Sequence, residues 1–584
     1  MIGNSRFEYV FIIASIAALR LIAPASIVYL ILCGWYRQQV SVWLTVYAVV
    51  EAGFFVFVYL PRKHRLQVPP ASLPPPLTQE QRRYLFARCL EHLNEQTLSD
   101  WFIPRSAPST LKRHDILEWL LWAIFHSRVE DVQADWEDEI NEYMGRVEDI
   151  LGRTFEPGRS DVVSSLRLTF DPVQVVHRPF IWYSIVGLVD AFSTTRLLYL
   201  DFQHYTPARW FQTFPPRPLL SLLSRRAAVP PESQMAYWYR PHRSATKLPI
   251  LFLHGIGIGL YPYIPIFQDI LTEDPDVGII LVELLPISFH MTNGPVPSRT
   301  VVLDSLDAVL ESLGIERVVF MSHSFGTFLA AYIIHSTCPQ QTNLGSYHHS
   351  RHSHPVLHRI SHTILIDPIP ILLHIPAVAF NFLYRQPKQA AEWQLWYFAS
   401  RDPDVARTLS RAFFWEQGAL WGEDLVNFMD PLLEPPQEGA GIEGDDTNQP
   451  PSCCRDLKRN MTVVLSEKDQ IVPVEAVRRY LTGEEEPSLQ WIGQGPNWPW
   501  KKGLPSSNTG SSSSREANGA TIPNSEPLLV SVHNVQETST QVPETNGQPK
   551  LEVLFYPGLD HATVFDTKAR RRLVVEAAHR YSNS

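Results

Sequence analysis

Ser324 occupies a short motif that could make its hydroxyl a nucleophile. The motif SHSFG, residues 322–326, follows the apolar run at 317–321 and leads into a helical pattern. In this strand-turn-helix context the pattern G-x-S-x-G marks a strained turn that exposes a serine hydroxyl at the end of a strand. The turn requires small residues two positions before and after the serine, and Ser322 and Gly326 meet this requirement, although Ser322 departs from the usual glycine. The competing interpretation is that Ser324 only caps the helix.

A serine hydroxyl needs two further groups before it can attack a carbonyl carbon. A base must take its proton, and an acid must hold that base in position. The downstream sequence offers both, because Asp469 follows the apolar run VVLS and His561 follows the last apolar run, VLFY. Asp367, at the end of ILID, is a second candidate for the acid. We favour Asp469, because Asp367 precedes Pro368 and its carboxylate can simply hydrogen-bond that turn.

The negative charge that develops on an attacked carbonyl oxygen needs hydrogen-bond donors placed in advance. The sequence HGIGIG, residues 254–259, follows an apolar run and can supply one backbone N–H, that of Ile256 or Gly257. The N–H of Phe325, next to the serine, can supply the second. These three residues are therefore the candidate oxyanion donors.

All of these groups lie at the ends of short apolar runs, which predict a sheet. From about residue 235 onward, runs rich in β-branched residues alternate with helical patterns. The runs lie at 235–241, 248–255, 278–285, 316–322, 362–368, 461–467 and 551–558. Apolar strands that alternate with helices predict an α/β fold, a mostly parallel central sheet with helices on both sides. Ligands of such sheets bind at the carboxyl ends of the strands.

Residues 235–580 resemble the α/β-hydrolase fold superfamily. The resemblance rests on the HG turn at 254–255, the SHSFG elbow, the DQIVP segment that begins at Asp469 and the GLDH segment that ends at His561, in that order. It implies that Ser324 is the nucleophile, Asp469 the orienting acid and His561 the general base. Relatives that open epoxides or remove halides carry aspartate at the elbow, so the serine implies acyl transfer through a serine ester.

Two segments interrupt the predicted sheet. Residues 369–455 contain many aromatic residues in a helical pattern and are predicted to form a cap over the serine. An apolar cap favours an apolar acyl or alcohol group in the substrate. Residues 493–550 are rich in Ser, Gly, Asn and Pro, which predicts a disordered insertion. A proline-rich spacer and a helical region at 66–234 precede the hydrolase domain.

The first 65 residues predict a membrane anchor of one or two helices. The segments 7–33 and 40–60 are each long enough to cross a hydrocarbon core, which takes about 20 residues of helix. Each carries one charge, Arg20 and Glu51. Basic residues at 62–65 follow the second segment, and by the positive-inside rule they place the main domain in the cytosol. A single span with an interfacial helix is the alternative.

Composition and motifs argue against nucleic acid and metal ions as partners. The formal net charge of −10 argues against nucleic acid, which is bound by clustered Lys and Arg. Charged residues make up 19% of the chain, against about 25% in typical soluble domains, which fits some membrane content. Neither a cysteine pattern nor an HExxH motif marks a metal site, and the histidine-rich stretch 347–362 is typical of an exposed loop. We therefore predict no metal and no cofactor.

Together these features predict a membrane-anchored serine hydrolase that cleaves an ester through an acyl-enzyme on Ser324. The ester is expected to be small or to belong to a lipid that reaches the domain from the bilayer. Transfer of the acyl group to an alcohol uses the same residues and remains open. The alternative from another class is a non-catalytic membrane scaffold that retains the fold, which Ser322 and the long insertion before His561 leave open.

Overall fold

The computed structural model of the chain describes residues 3–69, 74–105, 108–207, 213–230, 233, 235–294, 296–336, 354–430, 458–494, 499 and 549–584. The end of the predicted cap and nearly all of the predicted disordered insertion therefore lie outside the described residues. The same is true of most of the histidine-rich stretch.

Helices are more abundant than strands in the described chain. They are α1 (Arg6–Tyr36), α2 (Val42–Gly53), α3 (Leu60–Arg65), α4 (Gln79–Leu90), α5 (Glu95–Ser99), α6 (Arg113–Phe125), α7 (Glu137–Leu151), α8 (Phe180–Tyr199), α9 (Pro218–Leu223), α10 (Ile264–Glu273), α11 (Arg299–Ser312), α12 (Phe325–Ile334), α13 (Pro355–His358), α14 (Ala377–Ala379), α15 (Ala390–Leu395), α16 (Pro403–Arg411), α17 (Trp415–Gly418), α18 (Gly422–Met429), α19 (Val474–Thr482) and α20 (Lys568–Ser582). Three π-helical stretches, Phe54–Tyr59, Phe380–Tyr384 and Trp396–Ser400, continue α2, α14 and α15.

The strands alternate with helices over the second half of the chain. They are β1 (Phe102–Ile103), β2 (Ser164–Ser165), β3 (Gln203–Thr206), β4 (Thr213–Phe214), β5 (Arg225–Arg226), β6 (Ala236–Arg240), β7 (Ile250–Leu253), β8 (Ile279–Glu283), β9 (Met291–Thr292), β10 (Val318–His323), β11 (Ile360–Ile366), β12 (Met461–Ser466), β13 (Gln490–Gln494) and β14 (Lys550–Tyr556). The strands β1 with β2 and β4 with β9 form two small antiparallel pairs.

Ten of these strands form one sheet in the order β13-β14-β12-β11-β10-β7-β8-β6-β3-β5. The stretch from β14 to β8 is parallel, whereas β13 and β6 pair antiparallel with their neighbours. Strands β7, β10 and β11 are buried along their whole length, because α10 and α20 cover one face of the sheet and α11, α12 and α19 cover the other. The predicted class, a mostly parallel sheet flanked by helices, is confirmed.

The sheet begins earlier in the chain than the apolar pattern predicts. Strands β3 and β5 lie upstream of residue 235, where the hydrolase domain is predicted to start, and they extend the sheet beyond β6. Both strands are short and polar, Gln-His-Tyr-Thr and Arg-Arg, so no apolar run marks them. Leu197 and Phe202 also belong to the core under the sheet. The predicted boundary at 235 therefore divides the strands of one sheet and is placed too late.

The described part of the predicted cap is helical. Helices α14 to α18 follow β11 and lie over the carboxyl end of the sheet. The region 66–234 packs against this cap, because Phe86 and Leu120 share one hydrophobic core with Val405 and Trp421. The spacer and helical region therefore shares a hydrophobic core with the cap.

The chain begins with a helical hairpin. Helix α1 and the continuous helix Val42–Arg65 are 31 and 24 residues long, and both are long and apolar enough to cross a membrane. The side chains of Ser5 and Glu8 form a capping box that starts α1. Helix α1 extends the predicted segment 7–33 at both ends, whereas the second helix begins two residues after the predicted start at 40 and ends at Arg65, five residues after the predicted end at 60.

The hairpin packs against the rest of the chain at its open end. Ile12 and Ile16 of α1 contact a cluster that includes Tyr397 of the cap. The Glu51 carboxylate is fully buried and accepts a hydrogen bond of 2.9 Å from the backbone N–H of Phe180. The charge at position 51 therefore faces protein.

Candidate active site

Ser324 lies at a sharp turn between β10 and α12. Its backbone has φ 51° and ψ −119°, a conformation that is costly for a residue with a side chain. A Cβ atom at Gly326 would lie 2.3 Å from the carbonyl oxygen of Leu253, so only glycine allows the helix to approach β7 this closely. Ser324 makes no side-chain capping hydrogen bond to α12. Its hydroxyl is thus left for another partner, and the helix-cap interpretation fails.

The structure brings the three predicted triad residues together. His561 Nε2 lies 2.8 Å from Ser324 Oγ, and His561 Nδ1 lies 2.6 Å from Asp469 Oδ2. The other oxygen of Asp469 accepts the N–H groups of Ile471 and Val472 at 2.7 and 3.0 Å, which fixes the carboxylate. The chain of contacts therefore runs from the hydroxyl through the imidazole to a held carboxylate.

Asp367, the rival acid, lies beside this chain of contacts. It is buried, and its Oδ2 accepts the N–H of Ala562, the residue after His561, at 2.8 Å. The same oxygen lies 3.6 Å from His323 Nε2. Asp367 therefore holds the loop that carries His561, whereas Asp469 holds the imidazole itself.

Tyr263, which the sequence did not single out, and His323 of the SHSFG elbow connect the site to the HG turn. The hydroxyl of Tyr263 lies 2.8 Å from His323 Nδ1 and accepts the N–H of Gly255 at 3.1 Å. A Cβ atom at Gly255 would lie 2.7 Å from His323 Nδ1, so glycine is needed there. Tyr263, His323 and Asp367 thus link the loop of the oxyanion candidates to the loop of His561. No local pattern could have revealed this, because the contacts join four separate segments.

Burial and charge act in opposite directions on the His561 imidazole. Burial lowers the pKa of His561, but the Asp469 carboxylate, through its charge and its hydrogen bond, outweighs this and, with Asp367 and Asp560, raises that pKa to about 9. Burial raises the pKa of Asp469, and the facing His561 opposes this rise only in part. His323 behaves differently, since burial lowers its pKa to about 4 and keeps it neutral near pH 7.

The oxyanion candidates are only partly available. The N–H of Gly257 donates to the carbonyl oxygen of Ile287 at 3.1 Å. Gly257 is therefore not a free donor, and its prediction as an oxyanion donor is wrong. The N–H groups of Ile256 and Phe325 have no acceptor within the described chain, and they are the remaining pair. The side chain of His254 supports this turn, because its Nε2 accepts the N–H of Leu284 at 3.0 Å.

An apolar pocket opens at Ser324. It encloses ≈ 410 Å³ of space not filled by protein atoms, part of it open to solvent. Its apolar lining includes Leu168, Ile256, Val378, Phe382, Leu409 and Phe413. Three of these side chains come from helices α14 and α16 and the π-helical stretch between α14 and α15, so the cap forms much of the wall. Leu168 comes from the region 66–234, for which the sequence predicted no part in the site.

One cluster in the described residues has the composition of a metal site. Donor atoms of Asp367, Asp469 and His561 lie within 4.8 Å of one another. Both nitrogens of the His561 ring already face Asp469 and Ser324 at hydrogen-bond distance, and Oδ2 of Asp367 accepts a backbone N–H. The donor set therefore fits an acid–base cluster, and the expectation of no metal and no cofactor stays a prediction.

Comparisons with known proteins find similar folds at low identity. No family model matches the chain, and no curated protein matches it. Among solved structures, a carboxylesterase of the thaumarchaeon Nitrososphaera gargenis is 12% identical, with a TM-score of 0.30, over 60% of this chain and 97% of that one. Naproxen esterase from Bacillus subtilis is 11% identical, with a TM-score of 0.29, over 68% and 98%. A bacterial membrane phospholipase A is 13% identical, with a TM-score of 0.26, over 51% and 80%.

The assignment of the fold depends on the molecule's own geometry, since these TM-scores are low. The serine turn follows a central strand, β10, and leads directly into a helix. An aspartate follows β12 and a histidine follows β14, in the chain order serine, acid, histidine. The three meet at the carboxyl ends of the strands. This strand topology and this placement of the three residues are those of an α/β-hydrolase fold.

Proposed function

We propose that the protein is a serine hydrolase that cleaves an ester through an acyl-enzyme on Ser324. The observation that carries the proposal is the pair of contacts of His561, 2.8 Å to Ser324 Oγ and 2.6 Å to Asp469 Oδ2. A general base must lie within about 2.6–3.2 Å of the group whose proton it takes. A non-catalytic scaffold has no need to hold these two distances together with a strained serine.

In the first half-reaction His561 Nε2 takes the proton of Ser324 as Oγ attacks the ester carbonyl carbon. The N–H groups of Ile256 and Phe325 donate to the oxygen that becomes negative. Asp469 stabilises the imidazolium that forms. His561 then gives the proton to the leaving alcohol, and the acyl group stays on Oγ.

In the second half-reaction a water molecule gives its proton to His561 and attacks the acyl carbon. The proton returns to Ser324 Oγ when the acid leaves, so one ester and one water give one acid and one alcohol. An alcohol in place of water would give a new ester through the same steps. Hydrolysis and acyl transfer therefore differ only in the second nucleophile.

The pocket and the amino-terminal helices support a substrate class. The pocket at Ser324 is lined almost wholly by apolar side chains, which fits an apolar acyl or alcohol group. Of the two helices long and apolar enough to cross a membrane, α1 packs on the cap and the second forms an ion pair with it, Arg62 with Asp404. We infer a lipid ester that reaches the domain from the bilayer, with the domain on the cytosolic side as the basic residues at 62–65 predict.

Labelling by a fluorophosphonate tests the proposal, because such a probe forms a stable bond only with an activated serine. The full chain in detergent should be labelled, and Ser324→Ala should abolish the labelling. Ser361→Ala is the matched control, since Ser361 is fully buried at the start of β11 and away from the site. A folded parent protein that resists the probe, or a Ser324→Ala variant that labels as strongly as the control, would overturn the proposal.

A further inference from the structure

Helix α8 is apolar on two opposite faces. Trp182, Val186 and Leu197 face inward and are buried. The opposite face exposes apolar side chains, with Leu188 71% and Phe192 54% exposed. A helix that is apolar all round is normally buried, so this outer face requires a partner.

Five of the six exposed large apolar side chains of α8 form a single stripe, and the sixth, Leu198, is 37% exposed and lies outside it. The five are Ile181, Ile185, Leu188, Phe192 and Tyr199, at spacings of four, three, four and seven residues. These spacings place all five on one side of an α-helix over its full length. A continuous exposed apolar surface of this kind marks a site of interaction with protein or membrane.

The polar groups on this side of α8 are satisfied within the helix. The hydroxyl of Ser184 donates to the carbonyl oxygen of Phe180 at 3.2 Å, and that of Thr195 donates to Ala191 at 2.8 Å. Asp190 is turned inward and lies 2.7 Å from His290 Nε2. Arg196, in the last turn, is partly exposed and can extend its charge toward water. A hydrocarbon environment tolerates this arrangement, because the hydroxyls need no water.

The apolar surface continues from α8 onto two neighbouring segments. The ring of Tyr261 lies 5.9 Å from that of Phe192. On α9, Leu219 and Leu222 are 51% and 73% exposed, while Leu220 packs in the core that holds the end of α8. The exposed Arg225–Arg226 strand follows α9 directly and places positive charge beside these leucines. Exposed leucines followed by arginines are typical of a segment at the surface of an anionic membrane.

The stripe lies beside the helical hairpin that is long enough to cross a membrane. Helix α8 starts against the second helix of that hairpin, where Phe54 contacts the rings of Phe180 and Tyr183 at 5.8 and 5.6 Å. Its Trp182 packs at 5.1 Å against Phe398, which belongs to the cluster that holds α1. A hairpin placed in a bilayer therefore brings α8 to that same bilayer.

We propose that the outer face of α8, together with α9, is a membrane-contact surface that lies in the lipid bilayer next to the hairpin. We define this α8 face by Ile181, Ile185, Leu188, Phe192 and Tyr199. The occupant is lipid: acyl chains against the α8 face and anionic headgroups against Arg225–Arg226. The surface is distinct from the pocket at Ser324 and does not depend on the proposed reaction.

Fluorescence quenching by spin-labelled lipid tests this surface in the full chain. The five native cysteines are replaced by alanine, and one cysteine at Leu188→Cys or Phe192→Cys carries an NBD probe. Leu489→Cys is the matched control, because Leu489 is apolar and 64% exposed and lies next to β13, at the opposite edge of the sheet from β5. The proteins are reconstituted into vesicles of phosphatidylcholine and phosphatidylglycerol, with or without doxyl-labelled acyl chains.

The probes at 188 and 192 should lose most of their fluorescence in doxyl-labelled vesicles, while the probe at 489 keeps its fluorescence. Equal and small losses at all three positions would overturn the proposal. Energy transfer between two copies at 188, without quenching by lipid, would also overturn it and assign the α8 face to a second copy of the chain. Each variant is first shown to melt at the temperature of the cysteine-free parent.

Discussion

Two buried carboxylates flank the His561 imidazole, and they contact different atoms. Asp469 Oδ2 lies 2.6 Å from His561 Nδ1, which fixes the orientation of the ring. Asp367 Oδ2 accepts the N–H of Ala562 at 2.8 Å and acts on the imidazole through its charge. Both charges favour the protonated ring, and their sum outweighs the opposite effect of burial. This arrangement stabilises the imidazolium that the proposed attack would create.

The raised pKa of His561 predicts an alkaline pH dependence. His561 must be neutral to accept the serine proton, and its pKa is raised to about 9. Hence kcat/KM for a water-soluble p-nitrophenyl ester should fall as pH drops below that pKa and rise above neutral pH. Asp367→Asn removes one of the negative charges that raise the pKa of His561 but keeps an acceptor for the N–H of Ala562. The ascending limb of the plot of kcat/KM against pH should therefore move to lower pH. Glu475→Gln, with a half-exposed side chain on α19, should leave the limb in place.

A limb that stays in place in Asp367→Asn, or that moves to higher pH, would contradict this electrostatic account. Asp469→Asn removes the orienting contact as well as the charge, because the amide cannot hold the ring in the same tautomer. By analogy with a serine protease triad, its kcat should fall by up to about 10⁴-fold. The profile of Asp367→Asn should shift while its kcat stays far above that of Asp469→Asn.

At the scale of the elements, the cap helices decide which groups fit at Ser324. Ala379 of α14 lines the pocket and presents only a methyl group. Ala379→Trp should fill space near the serine and exclude long acyl chains, so kcat/KM for a C12 ester relative to a C4 ester should fall at least about tenfold. The measurement is the chain-length profile of p-nitrophenyl esters.

Ala377→Trp is the control for this substitution, because Ala377 starts the same helix without lining the pocket. The control should preserve the chain-length profile of the parent protein. If Ala379→Trp left the profile unchanged, or if both variants shortened it equally, the pocket at Ser324 would not be the acyl site.

The strands explain why the sequence could predict that Ser324, Asp469 and His561 meet. The carboxyl ends of parallel strands lie on the same side of the sheet. Ser324, Asp469 and His561 each follow such a strand, so they could be expected to meet from chain order alone. The contacts that the sequence missed depend on tertiary packing. Tyr263 contacts His323 across two loops, and Leu168 reaches the pocket from a region without a periodic pattern.

The same limit explains the errors. The N–H of Gly257 is equivalent to that of Ile256 in sequence, and only the approach of Ile287 shows that it is occupied. Strands β3 and β5 contain polar residues and are the last two strands on one side of the sheet, where pairing with a neighbour replaces an apolar pattern. Such backbone pairing cannot be recognised from the types of residue in the strand.

At the scale of the whole molecule, the hairpin, the cap and the hydrolase sheet share contacts. Ile12 and Ile16 pack on the cap residue Tyr397, and Leu383 lines the pocket from the next cap segment. Arg401 joins these segments, since its guanidinium donates to the carbonyl oxygen of Leu383 at 2.9 Å. Helix α1 is therefore connected through the cap to the wall of the pocket, a connection that the proposed lipid substrate would use.

An ion pair links the end of the hairpin to the cap, and it predicts how far the hairpin supports the fold. Arg62 lies 2.6 Å from Asp404 of α16, and their side chains are 15% and 3% exposed. Asp404 also accepts the hydroxyl of Thr292 at 2.8 Å. Arg62→Ala would leave a buried carboxylate without its counter-charge, which costs about 3 kcal/mol. The thermal unfolding midpoint of the full chain in detergent micelles should therefore fall by several degrees.

The matched control is Arg479→Ala, which removes an equivalent ion pair in solvent. Arg479 and Glu475 are each 53% exposed, so this pair contributes about 1 kcal/mol or less. Its loss should hardly move the midpoint. If Arg62→Ala were as stable as Arg479→Ala, the hairpin would be a tether that the domain does not need for folding. If the midpoint falls only in Arg62→Ala, the hairpin and the cap unfold as one unit, because the buried charge destabilises the shared contacts.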